Sequence, residues 1–194
     1  MSQGAAADFR ESSPVPTSRL GMWLFLASEV MFFAALIGSY VVLRLGASSW
    51  PDPNEVLGVG VLAVNTFILI LSSVSMVMAH DAAAGGDFRR CRNFLLGTAG
   101  LGLTFLVIKV LDYAHLSHGG FTIGSSLFAS CYYTLTGFHG LHVLAGVVAL
   151  LTGAWKAGSG RFTSEEHGYV EGVGLYWHFV DLVWIVLFAI LCLM

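Results

Sequence analysis

Apolar residues along this chain fall in long unbroken runs, not in amphipathic alternation. Five runs stand out, at about 20–43, 56–79, 94–116, 127–153 and 171–193. A helix rises about 1.5 Å per residue, so about 20 apolar residues cross the ~30 Å of hydrocarbon in a bilayer. Each run is long enough, and the pattern predicts an all-α fold, a polytopic bundle of five transmembrane helices. The connections are short: 44–55 carries Gly46, Pro51 and Pro53, 80–93 carries Gly85 and Gly86, 117–126 is rich in Gly and Ser, and 154–170 is polar. None is long enough for a second domain, which predicts a polar tail over 1–19 and one membrane domain over 20–194. Any single apolar run has the ordinary reading of a core helix in a water-soluble protein. Five in succession leave too few polar residues to coat such a fold.

Composition agrees with the pattern. The 194 residues are 56% hydrophobic and only 11% charged, a balance that would expose large apolar patches on a soluble domain. The tail, with Ser12, Ser13, Pro14 and Pro16, lacks the apolar core and small-residue cleavage site of a signal peptide, so the first span is expected to be retained. With five spans, one side holds Arg10, Arg19, Arg89, Arg90, Arg92, Lys156 and Arg161, and the other only Arg44. Positive residues stay inside, which predicts a cytoplasmic N-terminus and a C-terminus outside, in the periplasm. The same rule accounts for the basic cluster at 89–92, and a net charge of -3 carries no nucleic-acid footprint. Cys91, Cys131 and Cys192 form no C-x-x-C pair, so neither a disulfide nor a thiolate metal site is expected. Trp23, Trp50 and Trp155 lie near span ends, where amphipathic rings settle among headgroups.

Candidate chemistry sits where hydrocarbon should tolerate none. Glu29 is about ten residues into the first span, His139 and His142 about twelve to fifteen into the fourth, and His178 and Asp181 eight to eleven into the fifth. All five fall near the midplane, where an unpaired ionisable group costs several kcal/mol. His139 and His142, at i, i+3, share a helix face, as do His178 and Asp181. These residues are expected to form a buried cross-helix network in which Glu29 pairs with a histidine of the fourth span and Asp181 orients His178 or a neighbour. In the third span Lys109 and Asp112, again i, i+3, form a candidate ion pair, or Lys109 snorkels towards headgroups. Small residues mark candidate helix contacts: Ala145, Ala149 and Gly153 in the fourth span, and Gly97, Gly100 and Gly102 in the third.

Three chemistries compete with a structural role. Two histidines on facing helices, such as His139 and His178, could hold a haem, but no span carries two histidines a membrane thickness apart. Glu29, His139, His142 and His178 could bind a metal, although Phe138, Tyr176, Trp177 and Phe179 beside them suggest packing. Glu29 could relay protons, and a proton-coupled transporter is a further class. An odd number of spans without an internal repeat counts against the paired halves of many transporters. No nucleophile with a base, phosphate loop or dinucleotide fingerprint occurs, since Gly97 to Gly102 lies inside a span. The chain carries no sign of a catalytic centre.

Three segments carry a family resemblance: Leu26-Ala27-Ser28-Glu29-Val30-Met31-Phe32-Phe33, Tyr132-Tyr133-Thr134-Leu135-Thr136-Gly137-Phe138-His139-Gly140-Leu141-His142-Val143, and Tyr176-Trp177-His178-Phe179-Val180-Asp181-Leu182-Val183-Trp184. They resemble subunit III of the haem-copper oxidases, in its short five-helix bacterial form, from about residue 20 to 193. The resemblance implies an accessory subunit in a bacterial inner membrane, without a cofactor of its own, beside oxidase subunits I and II. Haem and copper would then reside in the partner catalytic subunit, which reduces oxygen to water and pumps protons. It also implies phospholipid binding, stabilisation of the oxygen-reducing centre and support of proton uptake on the cytoplasmic face. A cytochrome c donor or a respiratory supercomplex would be reached through other subunits. Glu29 matches the family's membrane carboxylate, and His139, His142, His178 and Asp181 match its polar interior. Two departures stand out. The two additional helices that begin longer members and wall a lipid cleft are absent, and Lys109 and Asp112 stand where glutamine and glutamate would be expected. Subunit III of a quinol oxidase or nitric oxide reductase complex is the alternative within the family, and an independent haem-binding electron-transfer subunit the alternative outside it.

Overall fold

The structure of the chain, a computed structural model, describes residues 17–159 and 164–193. Most of the expected tail, with Arg10, lies outside the described residues, as does Arg161. Six helices follow in order: α1 (Thr17–Gly46), α2 (Pro53–Val56), α3 (Val59–Ala84), α4 (Phe88–His118), α5 (Leu127–Gly158) and α6 (Ser164–Leu193). All but the four-residue α2 are long and apolar enough to cross a membrane. The five long helices correspond to the five runs but extend beyond them. Hydropathy registers only the hydrocarbon slab, whereas backbone hydrogen bonds carry a helix on into the headgroup region. Thus α4 begins at Phe88, ahead of Arg89, Arg90 and Arg92, and α5 continues past Trp155 and Lys156.

Local chemistry fixes the ends. Asp87 caps α4 by accepting from the Arg90 amide at 3.0 Å, and Ser126 caps α5 by accepting from the Ala129 amide at 3.0 Å. The turns leaving α3 and α4 use Gly86 (φ 75°) and Gly120 (φ 84°), in the left-handed region that side chains disfavour. We call the end of the bundle where α1 begins proximal and the other distal.

Helix α6 is the hub, packing against α1, α2, α3 and α5, while α4 bridges α3 and α5. Lipid supplies no hydrophobic push between helices, so contact depends on close approach and interhelical hydrogen bonds. Trp177 of α6 provides both. Its indole occupies a notch where a Cβ on Gly102 of α4 would lie 2.6 Å from the ring, and one on Gly146 of α5 2.8 Å from it. Its Nε1 donates to the Ser72 hydroxyl of α3 at 2.9 Å. Two turns distally Trp184 repeats the bond, donating to Thr66 of α3 at 2.9 Å. Gly102 is therefore the packing glycine of α4, whereas Gly97 and Gly100 are exposed. In α5, Gly153 is buried against Tyr169 and Leu95, but Ala145 faces outward, so Gly146, not Ala145, continues the close contact.

A second apolar cluster fills the distal half around Tyr40, Phe128, Tyr132 and Leu187. Trp50 belongs to it, edge-on to Tyr40 at 5.6 Å and Phe128 at 5.5 Å. Trp23 and Trp155 are exposed, as interfacial rings would be. Because the Trp177 ring cannot yield, Gly146→Ala is expected to destabilise the purified chain by about 1–3 kcal/mol through overpacking. Gly137→Ala, whose Cβ meets nothing within 4 Å, should be neutral within about 0.5 kcal/mol. Thermal unfolding in mild detergent compares the two.

Candidate functional site: polar groups between the helices

The structure brings Glu29 of α1 to His142 of α5, Oε2 to Nε2 at 3.0 Å. The other ring nitrogen of His142, Nδ1, lies 2.8 Å from the Phe138 carbonyl. A carbonyl only accepts, so Nδ1 carries a proton. Phe33 packs edge-on to the imidazole at 5.0 Å, and Tyr176 of α6 donates to the His142 carbonyl at 3.1 Å. The two side chains remain 18% and 19% exposed, at the margin of the α1–α5 contact.

The other predicted residues do not join this pair in one network. His139, three residues from His142, points into the core with 0% exposure, tilted against Trp184 at 4.9 Å and edge-on to Phe105 at 5.8 Å. Neither of its ring nitrogens has a hydrogen-bond partner among the described residues. His178 bonds through Nδ1 to the Ser73 hydroxyl of α3 at 2.6 Å. Asp181 makes no hydrogen bond to His178; the Ser73 hydroxyl of α3 meets the imidazole instead and also lies beside Asp181. Asp181 is 5% exposed, and both its carboxylate oxygens lack a hydrogen bond among the described residues. Between α3 and α6, His178, His80 and Glu171 line a hollow of about 290 Å³ on the proximal side. Glu171 also accepts from Arg19 of α1 at 2.7 Å.

Lys109 and Asp112 come together on α4, Nζ to Oδ2 at 3.2 Å, with both side chains under 10% exposed. Lys109 points inward and does not snorkel. Tyr132 of α5 closes the arrangement, accepting from Lys109 at 2.7 Å and donating to Asp112 at 2.9 Å. The ammonium also lies 4.8 Å from the Tyr132 ring centroid, 5.2 Å from Tyr113 and 5.3 Å from Trp184, so aromatic faces solvate it where water is excluded. Sequence reasoning missed Tyr132 here and the α3 hydroxyls of Thr66, Ser72 and Ser73. The available signal was a spacing of hydroxyls on α3 that runs antiparallel to Trp184, Trp177 and His178.

Among the described residues no three His, Cys, Asp or Glu side chains gather as a metal site would require, and Cys91, Cys131 and Cys192 are free thiols. Glu29 with His142 and His178 with Ser73 bond between helices, while Lys109 and Asp112 pair within α4 and reach Tyr132 of α5. Removing one member of a buried ion pair leaves its partner uncompensated, at about 3–5 kcal/mol. Lys109→Ala or Asp112→Ala alone should lower stability on that scale, and the double substitution should be milder than either. A thermal-unfolding double-mutant cycle checks this, with additive losses rejecting the pairing.

Comparison with known proteins places the chain. The family described as cytochrome c oxidase subunit III matches residues 12–193. Cytochrome c oxidase subunit 3 of Thermostichus vulcanus is 36% identical over 192 residues, covering 98% of this chain and 94% of that protein. The corresponding subunit of Synechocystis sp. is 38% identical over 176 residues, covering 90% and 74%. That of Corynebacterium diphtheriae is 40% identical over 172 residues, covering 87% and 84%. With a multi-pass apolar bundle and this similarity along nearly its whole length, the chain belongs to the cytochrome c oxidase subunit III family, as a component of an oxidoreductase complex with other oxidase subunits.

Proposed function

We propose that the chain is the accessory, non-catalytic subunit III of a respiratory haem-copper terminal oxidase of the cytochrome c type. It stabilises the catalytic subunit, holds phospholipid and supports proton uptake, while haem and copper reside in the partner. Subunits I and II are its direct neighbours, and a cytochrome c donor or a supercomplex is reached through them. Its setting is a bacterial inner membrane, with the 1–19 tail and the proximal end in the cytoplasm and the C-terminus in the periplasm.

The observation that carries this reading is the use of the polar groups within the bundle. Glu29, His142, Lys109 and Asp112 are engaged with one another and with neighbouring helices, as expected of a bundle built to hold its shape beside a reaction. The cytochrome c oxidase names of the relatives favour that complex over a quinol oxidase or a nitric oxide reductase. Glu29 and His142, hydrogen-bonded between α1 and α5, are the acid–base pair through which the chain would contribute to proton uptake.

Mild-detergent purification through a tag on this chain should recover a haem- and copper-bearing subunit in equal amount, and the isolated chain should show no stoichiometric Soret band. A Soret band in the isolated chain would instead make it a haem-binding electron carrier. Oxidase stripped of this chain should keep its initial turnover and lose activity faster during sustained turnover. An unchanged active lifetime would remove the stabilising role.

A further inference from the structure

Asp181 of α6 is 5% exposed, and neither of its buried carboxylate oxygens has a hydrogen bond among the described residues. A carboxyl group so placed is stripped of water with no donor in return, a cost avoided only if it holds a proton or can receive one. Ionisable groups of the surrounding helices are engaged elsewhere. Glu29 of α1 bonds to His142 of α5, His139 lies against Trp184, and Lys109 of α4 pairs with Asp112. Arg19 of α1 meets Glu171 towards the proximal end of α6. Beside the Asp181 carboxyl lies the hydroxyl of Ser73 on α3.

Ser73 connects that carboxyl with the proximal hollow between α3 and α6. Its hydroxyl is 2.6 Å from Nδ1 of His178, which lines the hollow together with His80 and Glu171. Helical repeats account for the placement. Ser73 and His80 on α3 are seven residues apart, as are Glu171 and His178 on α6, two turns in each case, so each pair shares a helix face. With α3 and α6 antiparallel, His80 stands at the Glu171 end and Ser73 at the end of His178 and Asp181. Exposure falls along this line, from exposed His80, next to exposed Asp81, through half-buried His178 and Ser73 to buried Asp181. From Glu171 to Asp181 the rise along α6 is about 15 Å.

We propose that Asp181 is a reversible proton acceptor, served from the proximal hollow through His178 and Ser73 by a route separate from Glu29 and His142. A proton from water entering the hollow binds Nε2 of His178. The Nδ1–H bond then breaks as the Ser73 oxygen takes that proton. The original Ser73 O–H bond breaks in turn as its proton passes to a carboxylate oxygen of Asp181, the carboxyl turning about its Cβ–Cγ bond to meet it. One proton has moved from water to Asp181, and His178 is again neutral, protonated at Nε2 in place of Nδ1. The reverse sequence returns the proton to the hollow. Imidazole and hydroxyl suit this route because each offers a donor and an acceptor at once. The proposal deepens the proton-uptake reading above by naming a second acceptor within this chain.

The test uses the full chain, purified with whatever subunits accompany it and placed in phosphatidylcholine nanodiscs. Infrared spectra on transfer from ordinary to heavy water follow the carboxylic C=O band, assigned to Asp181 by its loss in Asp181→Asn. Wild-type protein should show this band at the acid end of its stable pH range, and the band should shift as deuterium replaces the proton. His178→Gln keeps a hydrogen-bond partner for Ser73 but takes up no proton. It should retain the band and slow its shift on the order of a hundredfold, the low end of what a positioned proton carrier contributes. Ser73→Ala should slow it likewise, Ser73→Thr should restore the wild-type rate, and Glu29→Gln should leave the rate unchanged. No band lost in Asp181→Asn at any pH, equal rates in wild type and His178→Gln, or slowing by Glu29→Gln would each overturn the route. Co-purification of a haem- and copper-bearing subunit is scored separately, so failure here is distinguishable from failure of the subunit assignment.

Discussion

The architecture depends on one side chain meeting two missing ones. In hydrocarbon, helices gain nothing by hiding from solvent, so they associate only where backbones approach closely or polar groups bond across. Trp177 does both, with its ring in the notch formed by Gly102 and Gly146 and its N–H on Ser72. Four helices, α3 to α6, thereby share a single point of reference. The antiparallel register of α3 against α6 follows, since Trp184 then reaches Thr66 and His178 reaches Ser73.

From that register the polar side chains of the bundle take their separate positions. Each bonded polar side chain belongs to a particular interface: Glu29 and His142 to α1 and α5, Lys109 and Asp112 with Tyr132 to α4 and α5, His178 with Ser73 to α6 and α3. No common centre is formed by these bonds. A catalyst concentrates its ionisable groups around a reacting atom, whereas this bundle distributes them along its seams. His139 and Asp181 are the exceptions, buried without hydrogen-bond partners among the described residues.

Much of this was legible in the amino-acid sequence, and the limits have physical causes. The five spans could be counted because crossing hydrocarbon demands length and apolarity together, but their ends ran further because polar residues such as Arg89 and Lys156 do not stop a helix at the interface. The i, i+3 spacing of Lys109 and Asp112 announced a possible pair, yet Tyr132 joins it through tertiary packing that no local spacing encodes. That Glu29 would meet a histidine of the fourth span followed from depth alone. Which histidine was decided by rotation of α5 about its axis, which turns His142 towards α1 and His139 into the core. Asp181 was expected to orient His178 or a neighbour, and it does not touch His178 directly: residues on one face of a helix need not meet when a neighbouring helix offers a hydroxyl, here Ser73, which lies beside both. The small-residue ladder erred by one position, because Ala145 and Gly146 differ by about 100° around the helix.

Helix α1 is the least embedded part of the bundle, with only 11% of its most apolar stretch buried, against 44% for α6. Polar contacts at Glu29 and Arg19 fasten it, to residues 113 and 152 positions further along the chain. At roughly 5–20 residues per second of synthesis, His142 emerges roughly 6–23 s after Glu29 has left the ribosome. The first helix therefore enters the bilayer before either of its anchors exists and must lodge there with its carboxyl group unmatched. Completion of the fold is thus a late capture: the last two helices, once made, reach back and claim the first.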